Sequence, residues 1–458
     1  MALISSISGT RGTIGGIPQD NLTPIDIVAF VSAYAQFMMG KSSNRKIVIG
    51  RDGRASGEMV QGLAVQTLIA MGVEVIDLGF STTPTVAMAV PKESAVGGII
   101  ITASHNPMEW NALKLLNEEG EFISGEDGTA IIELLKNGPI KFAPINKLGK
   151  RTLQTEAIEW HIKQVLHHPL VDPALVARQN YHIVVDCINS TGALAIPSLL
   201  EQLGCSYSLI HGEINGVFDH NPEPLPQHLT TLMESVKIEK AHLGIAVDPD
   251  VDRLAFISED GTPFGEEYTL VAIADYFLSE NGTGTVVSNL SSSRALKDIA
   301  DQHGGIYKAS AVGEVNVVQT MKLEKAIIGG EGNGGIIVPD LHYGRDALIG
   351  IALFLTWLAK TSCKPSDLRS RYTSYVMLKD KVNIPQNLNL LTVKNKLARH
   401  FPKGVFNEID GLKMDLEEAW IHLRKSNTEP IVRIYAEAKE EKAASDLVNL
   451  VKELVCKE

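Results

Sequence analysis

The chain reads as an α/β protein: three mixed α/β domains followed by a C-terminal α+β domain. Strand-like and helix-like segments alternate along most of its length, and the rhythm restarts twice. From about residue 373 the chain becomes more charged. The order there changes to strand, helix, several strands and a final helix from Lys439.

In the first round, KIVIGRDGR is a β-rich run that ends in turn residues. GEMVQGLAVQTLIAMG follows with helical periodicity and a closing glycine. VEVIDLG is a strand, TPTVAMAV a helix, and VGGIII (96–101) a buried strand that ends in TASHNP. Residues 138–155 are polar and irregular and predict a first boundary. In the second round YHIVVDCINSTG is strand into turn and ALAIPSLLEQLG a helix. HLGIAVDPDVDRLAFI is then two strands around an acidic loop. The third round opens near TVVSNL, with SRALKDIADQHG as helix and AIIGGEGNGGIIV as strand, loop, strand. The longest apolar stretch, Ala347 to Ala359, is short of the roughly 20 residues of a spanning helix and reads as a core helix.

The 458 residues are 44% hydrophobic and carry a formal net charge of -12. Such an acidic chain is a poor partner for nucleic acid or an anionic membrane, so any anion must meet a local cluster of cations. Cys187, Cys205, Cys363 and Cys456 form no CxxC pair, which predicts free thiols in a reducing compartment. No basic, apolar leader is visible, and the expected location is the cytoplasm.

DPDVDR places Asp248, Asp250 and Asp252 at alternate positions after the buried run LGIAV. Carboxylates at that spacing can converge from an extended segment, and they repel unless a cation joins them. An all-oxygen set suits a hard cation, Mg²⁺ or Ca²⁺. An EF-hand would need glycine where Arg253 stands and helical flanks, and is rejected. A phosphatase with Asp248 as nucleophile stays open as an alternative, although its motif calls for Thr or Val where Asp252 stands.

Ser104 and His105 follow the buried strand. Two observations argue against a Ser-His hydrolase pair: neighbouring side chains on an extended backbone point apart, and no GxSxG elbow is present. A phosphorylated Ser104 would instead offer acceptor oxygens to a cation on the three aspartates, joining both loops into one phosphoryl-transfer site. GGEGNGGI (329–336) holds Glu331 and Asn333, a carboxylate and an amide spaced to face the same way, suited to sugar hydroxyls. RKSNTEPIVR (424–433) gathers Arg424, Ser426, Asn427 and Thr428, donors that bind a phosphate without a metal.

These four loops together resemble those of the α-D-phosphohexomutases, the superfamily of phosphoglucomutase, phosphomannomutase and phosphoglucosamine mutase. TASHNP, DPDVDR, GEGNGG and RKSNTEP occur in family order, and SGTRG and GRDGRASG are similar to family segments as well. The resemblance implies four domains around a central cleft: 1–152 with the serine loop, 153–256 with the metal loop, 257–372 with the sugar loop and 373–458 with the phosphate loop. It implies a phosphoserine at Ser104 and Mg²⁺ held by that phosphate with Asp248, Asp250 and Asp252. The reaction would interconvert hexose 6-phosphate and hexose 1-phosphate through a hexose 1,6-bisphosphate, which also serves as activator. By motif, Arg11 and Lys114 fall near the transferring group, and Arg253 and Arg345 at the substrate. Many members carry a histidine in the sugar loop where Gly335 stands, which leaves Lys114 and His105 as the groups to move a proton. NPEPLP (221–226), the Asn-Gly-Gly loop and SISGTRGTIGG resemble phosphoglucosamine mutases most. Glucosamine phosphate is therefore the expected substrate and mannose or glucose phosphates the alternative. Outside this class stand the aspartate-nucleophile phosphatase and a non-catalytic sugar-phosphate binder. The expected partner is a small sugar phosphate, with a monomer or homodimer equally compatible.

Overall fold

Fully apolar strands dictate the architecture. In β5 (Gly97–Ile101) all residues are buried, and alternate side chains enter opposite cores. Ile99 and Ile101 join one hydrophobic cluster and Ile100 the other. A strand buried on both faces must lie inside a sheet covered by helices on each side. The computed structural model, which describes residues 3–6, 9–383, 389–425 and 431–456, shows that arrangement.

The chain packs as two compact units, each made of two pieces: Met1–Tyr276 with Asn333–Leu368, and Phe277–Gly332 with Arg369–Glu458. In the first unit β1 (Ile4–Ser6), β2 (Gly9–Thr13), β3 (Lys46–Arg51), β4 (Glu74–Phe80), β5, β6 (Trp110–Leu116) and β7 (Arg151–Leu153) form a sheet of order β1-β2-β6-β5-β3-β4-β7. β5, β3, β4 and β7 run parallel, while β1, β2 and β6 add antiparallel pairings. The irregular run 138–155 thus contributes β7 to the edge of this sheet. Pro24–Lys41 and Gly57–Ala70 pack with the Ile99 side, and Thr83–Lys92 with the Ile100 side.

A second sheet, β11-β10-β8-β9, is built from β8 (His182–Asp186), β9 (Ser206–Ile210), β10 (Leu243–Val247) and β11 (Leu254–Ser258). β9, β8 and β10 are parallel; β10 and β11 form the antiparallel pair around the acidic loop. The apolar stretch read as a core helix is Ala347–Thr361, buried on nearly every side. No helix among the described residues is long and apolar enough to cross a membrane.

The second unit contains three parallel strands in the order β13-β12-β14, from β12 (Thr285–Asn289), β13 (Ile306–Ser310) and β14 (Ile328–Glu331). Its other part is an antiparallel five-stranded sheet with helices Leu390–His400 and Glu441–Cys456 packed against it. That is the α+β tail expected from the change of rhythm after residue 373.

Asp346 ties the core helix to its surroundings. Its Oδ1 accepts the Leu348 N–H at 2.8 Å and so caps the helix. Its Oδ2 lies 2.9 Å from His161 Nε2 and 3.2 Å from His342 Nε2. The Thr85 hydroxyl meets the remaining His161 nitrogen at 2.9 Å. Burial by itself would raise the Asp346 carboxyl, but the two histidines outweigh it and hold the carboxyl far below the usual range. A depressed carboxyl stabilises the fold above its unfolded pKa and loses that contribution as pH falls through the folded value. Asp346→Ala is expected to cost about 3 kcal/mol in urea unfolding at pH 7. The gap to the parent should be full at pH 5 and narrow below about pH 4.

Candidate active site

Three loops leave the C-terminal ends of parallel strands, where open α/β sheets commonly place ligands. Residues 102–107 follow β5, 187–191 follow β8, and 248–253 follow β10. Ser104 is buried and has a left-handed backbone, φ 47°. Its N–H donates to Thr102 Oγ1 at 2.8 Å, and Thr102 donates to Asp52 Oδ2 at 2.6 Å. Arg54, fully buried, holds the loop from outside. Its guanidinium donates to the carbonyl oxygens of Ser104, Asn106, Pro107 and Trp110 at 2.5–2.9 Å and pairs with Asp52.

The left-handed turn corrects the expectation that Ser104 and His105 point apart. That expectation assumed an extended backbone; here His105 Nδ1 comes within 3.4 Å of Ser104 Oγ. Burial, reinforced by Arg253, Arg345 and Lys114 against the opposing Glu223, lowers the imidazole to about 3. His105 is therefore neutral at pH 7.

The aspartates converge, but not from an extended strand. The chain curls around Val251 (φ 61°), whose N–H donates to the Asp248 carbonyl at 3.0 Å. Asp248 Oδ1 accepts the N–H groups of Asp252 and Arg253 at 3.2 and 3.0 Å. All three carboxylates are fully buried, and one oxygen from each lies within 4.8 Å of the others. Ser104 Oγ donates to Asp248 Oδ2 at 2.6 Å, which joins the serine and acidic loops.

Charge governs the rest of the site. Burial first, then Asp252 and Asp250, pushes the Asp248 carboxyl well above its ordinary value. For Asp250 the same burial is outweighed by Lys114 and by hydrogen bonds, including one from Thr83, and its carboxyl lies well below the usual range. Asp250 Oδ2 accepts from Lys114 at 2.8 Å and Thr83 at 2.6 Å. Thr83 opens helix Thr83–Lys92, so a helix N-terminus also faces this carboxylate. Burial would lower Lys114; Asp250 and Asp252 raise it above its ordinary value, keeping it an ammonium. Arg345 donates to Asp252 Oδ2 at 2.7 Å, and Arg253 to Glu223 at 2.9 Å.

Asp250 Oδ1 and Asp252 Oδ1 are buried without a hydrogen-bond partner among the described residues. A buried carboxylate oxygen left unpaired is costly. Two of them beside a third carboxylate, with only oxygen donors, fit a hard divalent cation.

The other expected residues separate into two groups. Arg11, exposed on β2, lies opposite Ala112, and Lys114 lies opposite Gly9, so both cations stand on one face of the β2–β6 pair. Asn333 turns its Oδ1 to the Gly335 N–H at 3.2 Å. A Cβ on Gly335 would fall 2.2 Å from Arg345 Cδ. The missing side chain thus makes room for the arginine that reaches Asp252. Glu331 and Arg424 belong to the second unit. Glu331 is buried at the end of β14 and accepts from Asn289 Nδ2 at 3.0 Å. Arg424 Nε pairs with Asp410 at 2.8 Å. Ser426, Asn427 and Thr428 lie outside the described residues.

Sequence reasoning assigned no role to Asp52, Arg54, Thr83 or Glu223. GRDGRASG was the signal for the first two, since an aspartate and an arginine follow a buried strand. Nothing local marked Thr83, because its partner is 167 positions away.

Four stretches match domains of one family, "phosphoglucomutase/phosphomannomutase": α/β/α domain I at 5–140, II at 160–261, III at 265–375 and the C-terminal domain at 380–454. A Thermococcus kodakarensis phosphoglucomutase/phosphomannomutase is 33% identical, over 98% of each chain. A Sulfurisphaera tokodaii phosphoglucosamine/phosphogalactosamine mutase is 32% identical, over 99% of each. Among solved structures, a family protein from Burkholderia thailandensis shares the fold with a TM-score of 0.86 at 23% identity, covering 99% of this chain and 97% of that one. An Aspergillus fumigatus N-acetylphosphoglucosamine mutase, solved with GlcNAc-6P and magnesium, follows at TM-score 0.61 and 14% identity, with 99% and 96% covered. This chain therefore belongs to the phosphoglucomutase/phosphomannomutase family, and it is a phosphohexomutase.

Proposed function

We propose that the chain interconverts glucosamine 6-phosphate and glucosamine 1-phosphate through a phosphoserine at Ser104. The observation that carries this reading is Ser104 Oγ at 2.6 Å from Asp248, in a buried triad with two unpaired carboxylate oxygens. Both Asp248 oxygens hold Ser104 or backbone N–H groups, which favours Ser104 over Asp248 as the phosphoryl carrier.

Asp248, Asp250, Asp252 and a phosphate on Ser104 would hold Mg²⁺, which would supply charge stabilisation to the transferring phosphoryl group. In the first transfer the Ser104 Oγ–P bond breaks as the sugar hydroxyl forms its own O–P bond and gives up a proton. In the second, the other phosphate of the 1,6-bisphosphate returns to Oγ. Arg11, Lys114, Arg253 and Arg345 would carry the developing negative charge. Lys114, as an ammonium, can donate a proton, and the neutral His105 can accept one. Glu331 and Asn333 would hold sugar hydroxyls, and Arg424, Ser426, Asn427 and Thr428 the phosphate that is not reacting.

The domains would run 1–152, 153–256, 257–372 and 373–458, and the reaction would take place in the cytoplasm. The Sulfurisphaera relative's name supports an amino sugar; that of the Thermococcus relative supports mannose or glucose phosphates as the second reading.

Peptide mass spectrometry of the purified protein should find phosphate on Ser104 that glucosamine 6-phosphate discharges. Discharge by mannose or glucose 6-phosphate alone would select the second reading. A Ser104 that carries no phosphate and cannot be loaded by any hexose 1,6-bisphosphate would end the mutase reading.

Asp250→Asn should lower kcat by at least about 10²-fold, and chelation should abolish turnover until Mg²⁺ returns. Equal activity with and without chelator would remove the metal from the scheme. Arg54→Lys keeps one charge and loses the forked contacts to four carbonyls. It should lower kcat by about 10²-fold while KM changes little, because the serine is misplaced and the sugar contacts are not.

A further inference from the structure

A second convergence of ligand-type side chains lies at the end of β8, outside the phosphoryl-transfer machinery. Asp186 is buried there. His211 Nδ1 sits 3.0 Å from its Oδ1 and His220 Nε2 sits 2.9 Å from its Oδ2. One atom from each residue lies within 4.8 Å of the other two. His220 Nδ1 is 2.8 Å from the Asn221 carbonyl, so that nitrogen donates outward and Nε2 is the one turned to the cluster. A ligating histidine is commonly fixed in this way, with its second nitrogen on a carbonyl. The two rings meet edge-on at 5.2 Å, and both keep a solvent-facing rim. The His161–His342–Asp346 grouping differs: His161 is sealed, and both of its nitrogens are satisfied.

We propose that Asp186, His211 and His220 form a binding site for a divalent transition metal of the zinc type. Two imidazole nitrogens and one carboxylate with an open side make the mixed N/O set that zinc favours and magnesium does not. The ion would displace the two hydrogen bonds to Asp186 and release protons from the imidazoles, so binding weakens as pH falls. Asp219, which lies on the same loop and adds negative charge near His211, favours the cation further.

The site's consequence follows from what the 211–223 segment touches. Asn189, in the loop after β8, donates to Val217 O and Asp219 and accepts the Glu213 N–H. A Cβ on Gly216 would lie 2.5 Å from Ala55 N and Gly53 O, so the segment packs directly on the turn that carries Arg54. The Phe218 ring lies 5.0 Å from the Arg54 guanidinium, and Glu223 pairs with Arg253. A metal on Asp186, His211 and His220 would clamp this segment against the arginine that shapes the serine loop. None of this requires the chain to act on glucosamine.

The test uses the full chain, stripped of metal and carrying Asp250→Asn to weaken the aspartate triad, with Mg²⁺ in excess. Calorimetry with Zn²⁺ and absorption with Co²⁺ should find one site per chain at pH 7.5. Adding His211→Gln and His220→Gln should weaken binding at least tenfold. In the otherwise unaltered protein, Zn²⁺ should protect His211 and His220 from diethyl pyrocarbonate, read by peptide mass. That measurement needs no folded histidine variant. No binding in the Asp250→Asn chain, binding that survives loss of both histidines, or modification of both histidines unchanged by Zn²⁺ would each overturn the proposal.

Discussion

Three buried carboxylates on one turn are the constraint from which the rest of the first unit follows. Negative charges this close, away from water, repel strongly and cannot all stay ionised without partners. The fold supplies Lys114 and Thr83 to Asp250, Arg345 to Asp252, and the Ser104 hydroxyl with backbone N–H groups to Asp248. Each partner comes from a different part of the chain. The residual imbalance, seen in the raised Asp248 carboxyl and the unpaired oxygens of Asp250 and Asp252, is the feature a divalent cation would relieve. Structure and proposed chemistry thus share one electrostatic requirement.

The serine loop is the complementary problem. A left-handed serine is held in place only when its surroundings over-determine it. Arg54 and Asp52 do so from a neighbouring strand end: one guanidinium gathers the carbonyl oxygens of Ser104, Asn106, Pro107 and Trp110. The segment around Phe218 and Glu223 closes over Arg54 and Arg253 in turn. The orientation of Ser104 therefore depends on side chains from outside its own loop. Gly335 shows the same economy of space. Its lack of a side chain admits Arg345 to Asp252, so a histidine at that position and this arginine position compete for one volume.

Much of this was legible from sequence because the signals are local. The run VGGIII reads as a buried strand, and ALIGIALFLTWLA as a core helix. DPDVDR announces a cation through its charge density alone. The errors were local too. The spacing of DPDVDR suggested an extended segment, and the Ser104–His105 pair suggested diverging side chains. Both failed because a left-handed residue, Val251 in one loop and Ser104 in the other, reverses the chain. Neither residue type advertises that conformation, which tertiary contacts impose.

By itself, the sequence determined the α/β rhythm, the α+β tail and the residue types at the metal, serine, sugar and phosphate loops. Periodicity and charge density act over a few residues, and a few residues suffice to read them. Only the tertiary structure decided which carboxylate receives which cation, that Arg54 shapes the serine loop, and that Asp186 meets two histidines 25 and 34 positions away. Those pairings depend on Coulomb and hydrogen-bond distances between residues far apart in the chain. No local pattern encodes such distances until the strands are placed side by side.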